Sequence, residues 1–175
     1  MPATIIINRL TGVGPTATPI TSINTRANAA DAHTTADTAS PITIPAAGTN
    51  YSYWVVTRLE CTVAPSGTID NLRWYTDGAN NFGTGVTCKG NEATSYTQAV
   101  GAAGNGTELT VGNYASVTTP VDVFTFTSGS PKSLAGSTVT TEQFGSRFVY
   151  QIEVGTTAAP GATAQETFTW KYDET

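Results

Sequence analysis

The sequence predicts an all-β fold, an antiparallel β-sandwich or jelly-roll-like domain preceded by an extended N-terminal arm, and three observations predict it. After residue 50 several segments alternate apolar and polar residues with a period of two, the spacing of a strand that buries one face. Turn chemistry separates these segments at short intervals, in APSG, TDGANNFGTG, GAAGNG, TSGSP and AAPGAT. Nowhere do apolar residues recur at helical spacing over a run of the length a helix needs. Together these give about eight strands in two packed sheets.

The first fifty residues have a different character. From Thr11 to Asn50 the chain is Thr, Ala, Ser, Pro and Gly with scattered single apolar residues. Such a stretch cannot bury enough apolar surface to fold by itself. TIIIN near its start and PITIP near its end have the β-branched content of short strands. The expectation is an arm over residues 1–50 that pairs at its ends and lies on something else between them, with rapid amide exchange across Thr16 to Ser40 in an isolated subunit. Residues 51–175 then form the sandwich.

Three strands carry the strongest pattern. In YWVVTRLECTV the set Tyr53, Val55, Thr57, Leu59, Cys61 and Val63 is mostly apolar, and Trp54, Val56, Arg58, Glu60 and Thr62 occupy the other face. RFVYQIEV repeats this, with Phe148, Tyr150, Ile152 and Val154 inward and Gln151 and Glu153 outward. The terminal ETFTWKYDE places Phe168, Trp170 and Tyr172 opposite Thr167, Thr169 and Lys171. Three rings that each bury on the order of 150–250 Å² predict a central core strand. NLRWYT, GVTCKG, SYTQAV, DVFTFT and STVTT are weaker strand candidates.

Composition removes several classes of function. Charged residues make up only 12% of the chain, against about 25% in ordinary globular domains, so the surface is polar through Thr, Ser, Asn and Gln. A net charge of −5 and a pI near 4.6 supply no positive footprint for phosphate, which predicts no nucleic-acid partner. No apolar run approaches the roughly 20 residues of a membrane helix, and MPATIIINRL lacks the layout of a secretory signal. The expectation is synthesis in a host cytoplasm, with no membrane partner and with Cys61 and Cys88 as reduced, structural thiols.

His33, the only histidine, lies in the arm beside Asp31 and Asp37, where no scaffold would hold it against a nucleophile. One histidine and two cysteines at unrelated spacing do not make a zinc site. Glu60 and Glu153 on outward faces could flank a glycoside only if their strands were neighbours, and charge pairing with surroundings such as Arg58 is the ordinary use of such residues. Asp77, Asn80 and Asn81 share a loop but lack calcium-loop spacing and suit tight turns. Asn105 stands in an NGT glycosylation acceptor that has meaning only after secretion. The sequence therefore assigns no catalytic, cofactor-binding or metal-ligating residue, and implies no cofactor.

Three stretches, TIDNLRWYTDGANNFGTGVT, FVYQIEVGTTAAPG and ETFTWKYDET, resemble small structural proteins of tailed bacteriophages, of the capsid decoration or cement type. The resemblance runs in order over roughly residues 51 to 175. It implies a β-rich virion protein on the capsid exterior, bound to the major capsid protein and to copies of itself as a homotrimer or dimer, that holds capsomers together. A pliant arm would suit strand addition to neighbours, and repetition on a closed shell would supply avidity. Other readings are a neck, tail or fibre component, or a carbohydrate-binding, adhesin-like sandwich in which Trp54, Trp74 or Tyr75 would form an exposed platform.

Overall fold

Two antiparallel sheets of unequal width and a separate two-stranded ribbon make up the fold, and the computed structural model describes every residue except Met1, Ser22 and Asp37. A hairpin of β1 (Thr4–Thr11) and β2 (Thr16–Pro19) is followed by β3 (Thr49–Tyr51), β4 (Val55–Val63), β5 (Ile69–Tyr75) and β6 (Val86–Ala93). Short elements come next: β7 (Gly101–Ala102), β8 (Asn105–Gly106), β9 (Val121–Asp122), a 3-10 turn at Val123–Thr125, and β10 (Lys132–Ser133). The long β11 (Gln143–Gly155) and β12 (Thr169–Glu174) complete the set. The large sheet runs β2-β1-β4-β11-β6-β9, with β3 also on β11, and the small sheet runs β10-β5-β12. The all-β antiparallel class is thus the one the alternation predicts, and no α-helix occurs among the described residues.

The space between the sheets holds the main core. Trp74 of β5 stacks on Phe148 of β11, with ring centroids 3.6 Å apart and planes at 9°. Val55, Leu59 and Cys61 of β4, and Tyr150, Ile152 and Val154 of β11, pack around them, as the inward sets of both strands predict. β11 changes register against β4 between Phe144 and Phe148. Gly145 sits in that bulge at a φ of 70°, where a Cβ would meet Leu72 Cδ1 at 2.4 Å, so only glycine fits without displacement.

A second core lies on the opposite face of the large sheet. Trp54 and Val56, on the face of β4 expected to point outward, are buried with Val149 beneath Ala99, Leu109, Tyr114 and Val117. The Trp54 ring lies 5.5 Å from Tyr114, and its indole N–H donates to Thr97 O at 3.0 Å. Gln151, also expected outward, is buried, donating to Ser52 O and Thr107 O and accepting from Leu109 N–H. The covering residues come from 94–119, where SYTQAV forms no ladder and serves as a lid instead.

Other weak candidates resolve unevenly. NLRWYT and GVTCKG are β5 and the start of β6, whereas DVFTFT gives only the end of β9 before the chain turns. That turn begins where the Asp122 carboxylate accepts the Phe124 N–H at 3.0 Å, a local bond that competes with extension. STVTT contributes one isolated bridge, Thr138 to Ile69.

The arm region divides in two. TIIIN belongs to β1, paired with β4 from Thr4 to Leu10, while PITIP has no strand. Between them the chain folds over the same domain: Tyr53 N–H donates to Asn28 O at 2.8 Å and Thr43 N–H to Gly104 O at 2.8 Å. Asn28 and Ala29 are buried there. The small sheet is too narrow to cover β1, and this segment covers it instead.

The terminal strand is where expectation and structure part most clearly. Among the described residues β12 is an edge strand that pairs only with β5, and Phe168, Trp170 and Tyr172 are half-buried against the main core rather than enclosed by it. The alternation correctly identifies the inward face, but period alone does not tell a central strand from an edge. Trp170→Ala is accordingly expected to cost about 2 kcal/mol, roughly half the figure for a fully enclosed ring, and to leave a soluble folded protein in thermal denaturation. A loss above ~4 kcal/mol would mean that the ring is part of the interior.

Candidate functional site

A cleft of about 810 Å³ opens between residues 20–44 and residues 158–168. Its floor is the inner face of the large sheet, with Ile7, Tyr150 and Ile152, and its walls include Ile42, Phe82 and Phe168. The floor is aromatic and aliphatic because β1 reaches past the edge of the small sheet and exposes its inward residues to whatever loops cross over, and those loops add Thr, Asn and Gln side chains. The rim carries Arg26 and Glu166, and the Glu166 carboxylate accepts the Asn81 N–H. Apolar side chains or a small apolar molecule match this lining.

The candidate residues of the sequence are dispersed over the structure. His33 Nδ1 lies 3.1 Å from Thr25 Oγ1, and burial, then the nearby Arg9 guanidinium, holds its pKa below the ordinary value. The Asp31 carboxylate accepts the Gly12 N–H at 2.9 Å, and Asp37 lies outside the described residues. Glu60 accepts from the Asn8 amide, and Arg58 donates to Gly145 O rather than pairing with Glu60. Glu153 holds Lys89 at 2.8 Å. Glu60 stands opposite Gln143, so the run of β11 from there to Glu153 separates the two carboxylates by on the order of 30 Å at ~3.3 Å per residue, far beyond the reach of one glycosidic bond.

Asp77 and Asn80 turn their side-chain oxygens onto Ala79 N–H at 2.9 Å and Phe82 N–H at 3.1 Å, the self-bonding of tight turns. Asn105 Oδ1 accepts the Tyr51 N–H at 2.8 Å. Trp54 and Trp74 are 3% and 1% exposed, so neither forms a surface platform, and Tyr75 is half-buried.

Cys61 and Cys88 are free and buried. Cys61 N–H bonds to Glu142 O, whereas Cys88 stands opposite Ile152, which puts the length of β11 between them, on the order of 25–30 Å. No disulfide can span that distance. Burial raises both thiol pKa values, so thiolate is scarce at neutral pH. An alkylating reagent is expected to label neither cysteine in the native protein and both in denaturant, with no change in mass on prior reduction.

A feature missed by strand-seeking is the plate over the second core. Of the 27 residues from 94 to 120 only Glu108 is charged, and Val100 and Val111 stand more than half exposed on it. Its sequence signal is the long absence of ionic residues, interrupted only at Glu108. The plate is anchored: Gly106 lies so close to the main chain that a Cβ would meet Ser52 O at 2.3 Å, and Tyr114 O–H donates to Ser95 O at 2.9 Å. No known protein family, curated protein or solved structure matches the chain.

Proposed function

We propose that this chain is a non-enzymatic virion structural protein that binds the outside of an assembled phage head and stabilises contacts between capsomers. The observation that carries the reading is the nearly uncharged plate 94–120 with its exposed valines. A face of Thr, Gly and Val loses little hydration energy on meeting another protein, because few ions must be stripped of water. Weak contacts of this kind become effective when a shell repeats them many times. The major capsid protein is the partner this reading names.

The test is co-sedimentation of purified protein with expanded heads of the phage whose genome encodes it, followed by imaging of the decorated particles. Saturable binding to the outer shell, weakened by Val111→Asp at unchanged thermal stability, is the expected result. Binding confined to the neck, tail or fibres would replace this reading with that of another virion component. Absence of any binding to the particle would remove both.

A further inference from the structure

The strand edges of this sandwich are not treated alike. An open edge offers unpaired backbone N–H and C=O groups to any passing chain, and proteins blunt such edges with proline, shortness or charge. β2 is four residues long and ends in Pro19. The register of β2 on β1, with Ile20 N–H donating to Ile7 O, turns the main-chain groups of Ala17 and Pro19 outward, and proline has no N–H to offer. β9 and β10 are two residues each and follow Pro120 and Pro131. β12 is six residues long and contains no proline.

The direction of the free groups on β12 follows from its hydrogen bonds. Thr68 and Thr175 exchange both main-chain bonds, at 2.9 and 3.0 Å. In an antiparallel ladder the bonded residues alternate along each strand, so Asp173, Lys171 and Thr169 face β5, and Glu174, Tyr172 and Trp170 face away. The register shift near Lys171 adds its extra residue on β5, where Asn71 takes a φ of 52°, and leaves the alternation of β12 intact. Among the described residues nothing bonds to the outward main chain of Trp170, Tyr172 or Glu174. Lys171 and Glu174 are exposed, and Trp170 and Tyr172 are partly buried against the main core.

Charge identifies the occupant. Lys171 stands directly opposite Arg73 in the ladder, a like-charge pairing that costs stability. Arg73 already holds Asp173 at 3.1 Å, and among the described residues Lys171 has no ion pair. If β12 meets β12 of a second copy about a two-fold axis through Tyr172, the outward groups of Tyr172 bond to themselves across the axis and those of Trp170 bond to the second copy's Glu174. The same register sets each Lys171 against the second copy's Asp173. A two-fold axis through Trp170 would instead set Lys171 against Thr169 and lose that complementarity. We propose that this edge is a self-association surface: two copies join antiparallel through β12, merging their small sheets into one, with reciprocal Lys171–Asp173 pairs fixing the register.

One strand pair buries less area than a standard interface, so the dimer is expected to be weak and to form at high concentration. The inference stands apart from the shell-binding reading, because it is tested on purified protein without any particle. Analytical ultracentrifugation should show concentration-dependent dimers, and hydrogen exchange should show the Trp170, Tyr172 and Glu174 amides slowing as the dimer forms. Lys171→Glu should weaken the dimer at least ~tenfold, since each attractive pair becomes a repulsive one, at unchanged or slightly raised melting temperature. Asp173→Lys alone should also fail to dimerise, and mixing the two variants should restore a heterodimer. Three results would each overturn the proposal: a wild-type chain that stays monomeric at any attainable concentration, a dimer whose β12 amides exchange as in the monomer, or a mixture of the two variants that stays apart.

Discussion

Trp74→Ala is expected to lower the free energy of unfolding by about 3–5 kcal/mol, read from urea denaturation. Trp74 is 1% exposed and forms the joint between the sheets. Besides its stack on Phe148, its ring meets Phe126 edge-on at 6.4 Å and Phe168 at 5.0 Å. Removal empties the middle of the core, and the ladders that hold β5 between β10 and β12 keep the backbone from collapsing into the space. Transfer and cavity terms then add. Trp74→Phe, which retains a stacking ring, should cost less than half as much. A loss under ~1 kcal/mol for the alanine variant would show that the small sheet closes down freely on the large one.

Gln151→Leu should be comparably severe for a different reason. The Gln151 amide nitrogen donates to Ser52 O at 2.7 Å and to Thr107 O at 2.8 Å, and its oxygen accepts the Leu109 N–H at 2.6 Å. Leucine fills nearly the same volume but leaves the buried Ser52 O and Leu109 N–H without partners, at about 1–3 kcal/mol each, and strips the part-buried Thr107 O of its bond as well. The expected total is roughly 3–5 kcal/mol, with amide exchange at Leu109 accelerating before the sheets open. Gln151→Glu keeps the acceptor and loses the donors, so it should preserve protection at Leu109 better than the leucine variant does. Equal protection in wild type and the leucine variant would mean that the plate is held by its apolar contacts alone.

Gln151 also marks the limit of what the sequence reveals. The inward sets of β4 and β11 could be read from alternation because the main core obeys a two-sheet pattern. Their outward sets could not, since the plate that buries Trp54, Val56 and Gln151 has no period of its own. A tryptophan and a glutamine among polar neighbours look the same in sequence whether a loop covers them or water does. The edge position of β12 was hidden for a related reason: strand order depends on pairing partners a hundred residues away in sequence, such as Trp170 with Trp74. The candidate site was least legible, because a nearly uncharged loop region carries no motif. Its signal is the scarcity of ions, which becomes a surface property only once the loop is placed.

The position of β11 has a consequence for the order of events during synthesis. This strand sits inside the large sheet between β4 and β6, yet it spans residues 143–155 of 175. Until it leaves the ribosome, β4 and β6 have no neighbour to join them, and the apolar residues on both faces of β4 stay uncovered. At roughly 5–20 residues per second, that interval lasts several seconds. The slow step of folding is therefore the capture of a late strand by partners made long before, as expected where contacts are distant in sequence. During those seconds the nascent chain depends on chaperones or on low local concentration to keep β4 from finding the β4 of another chain.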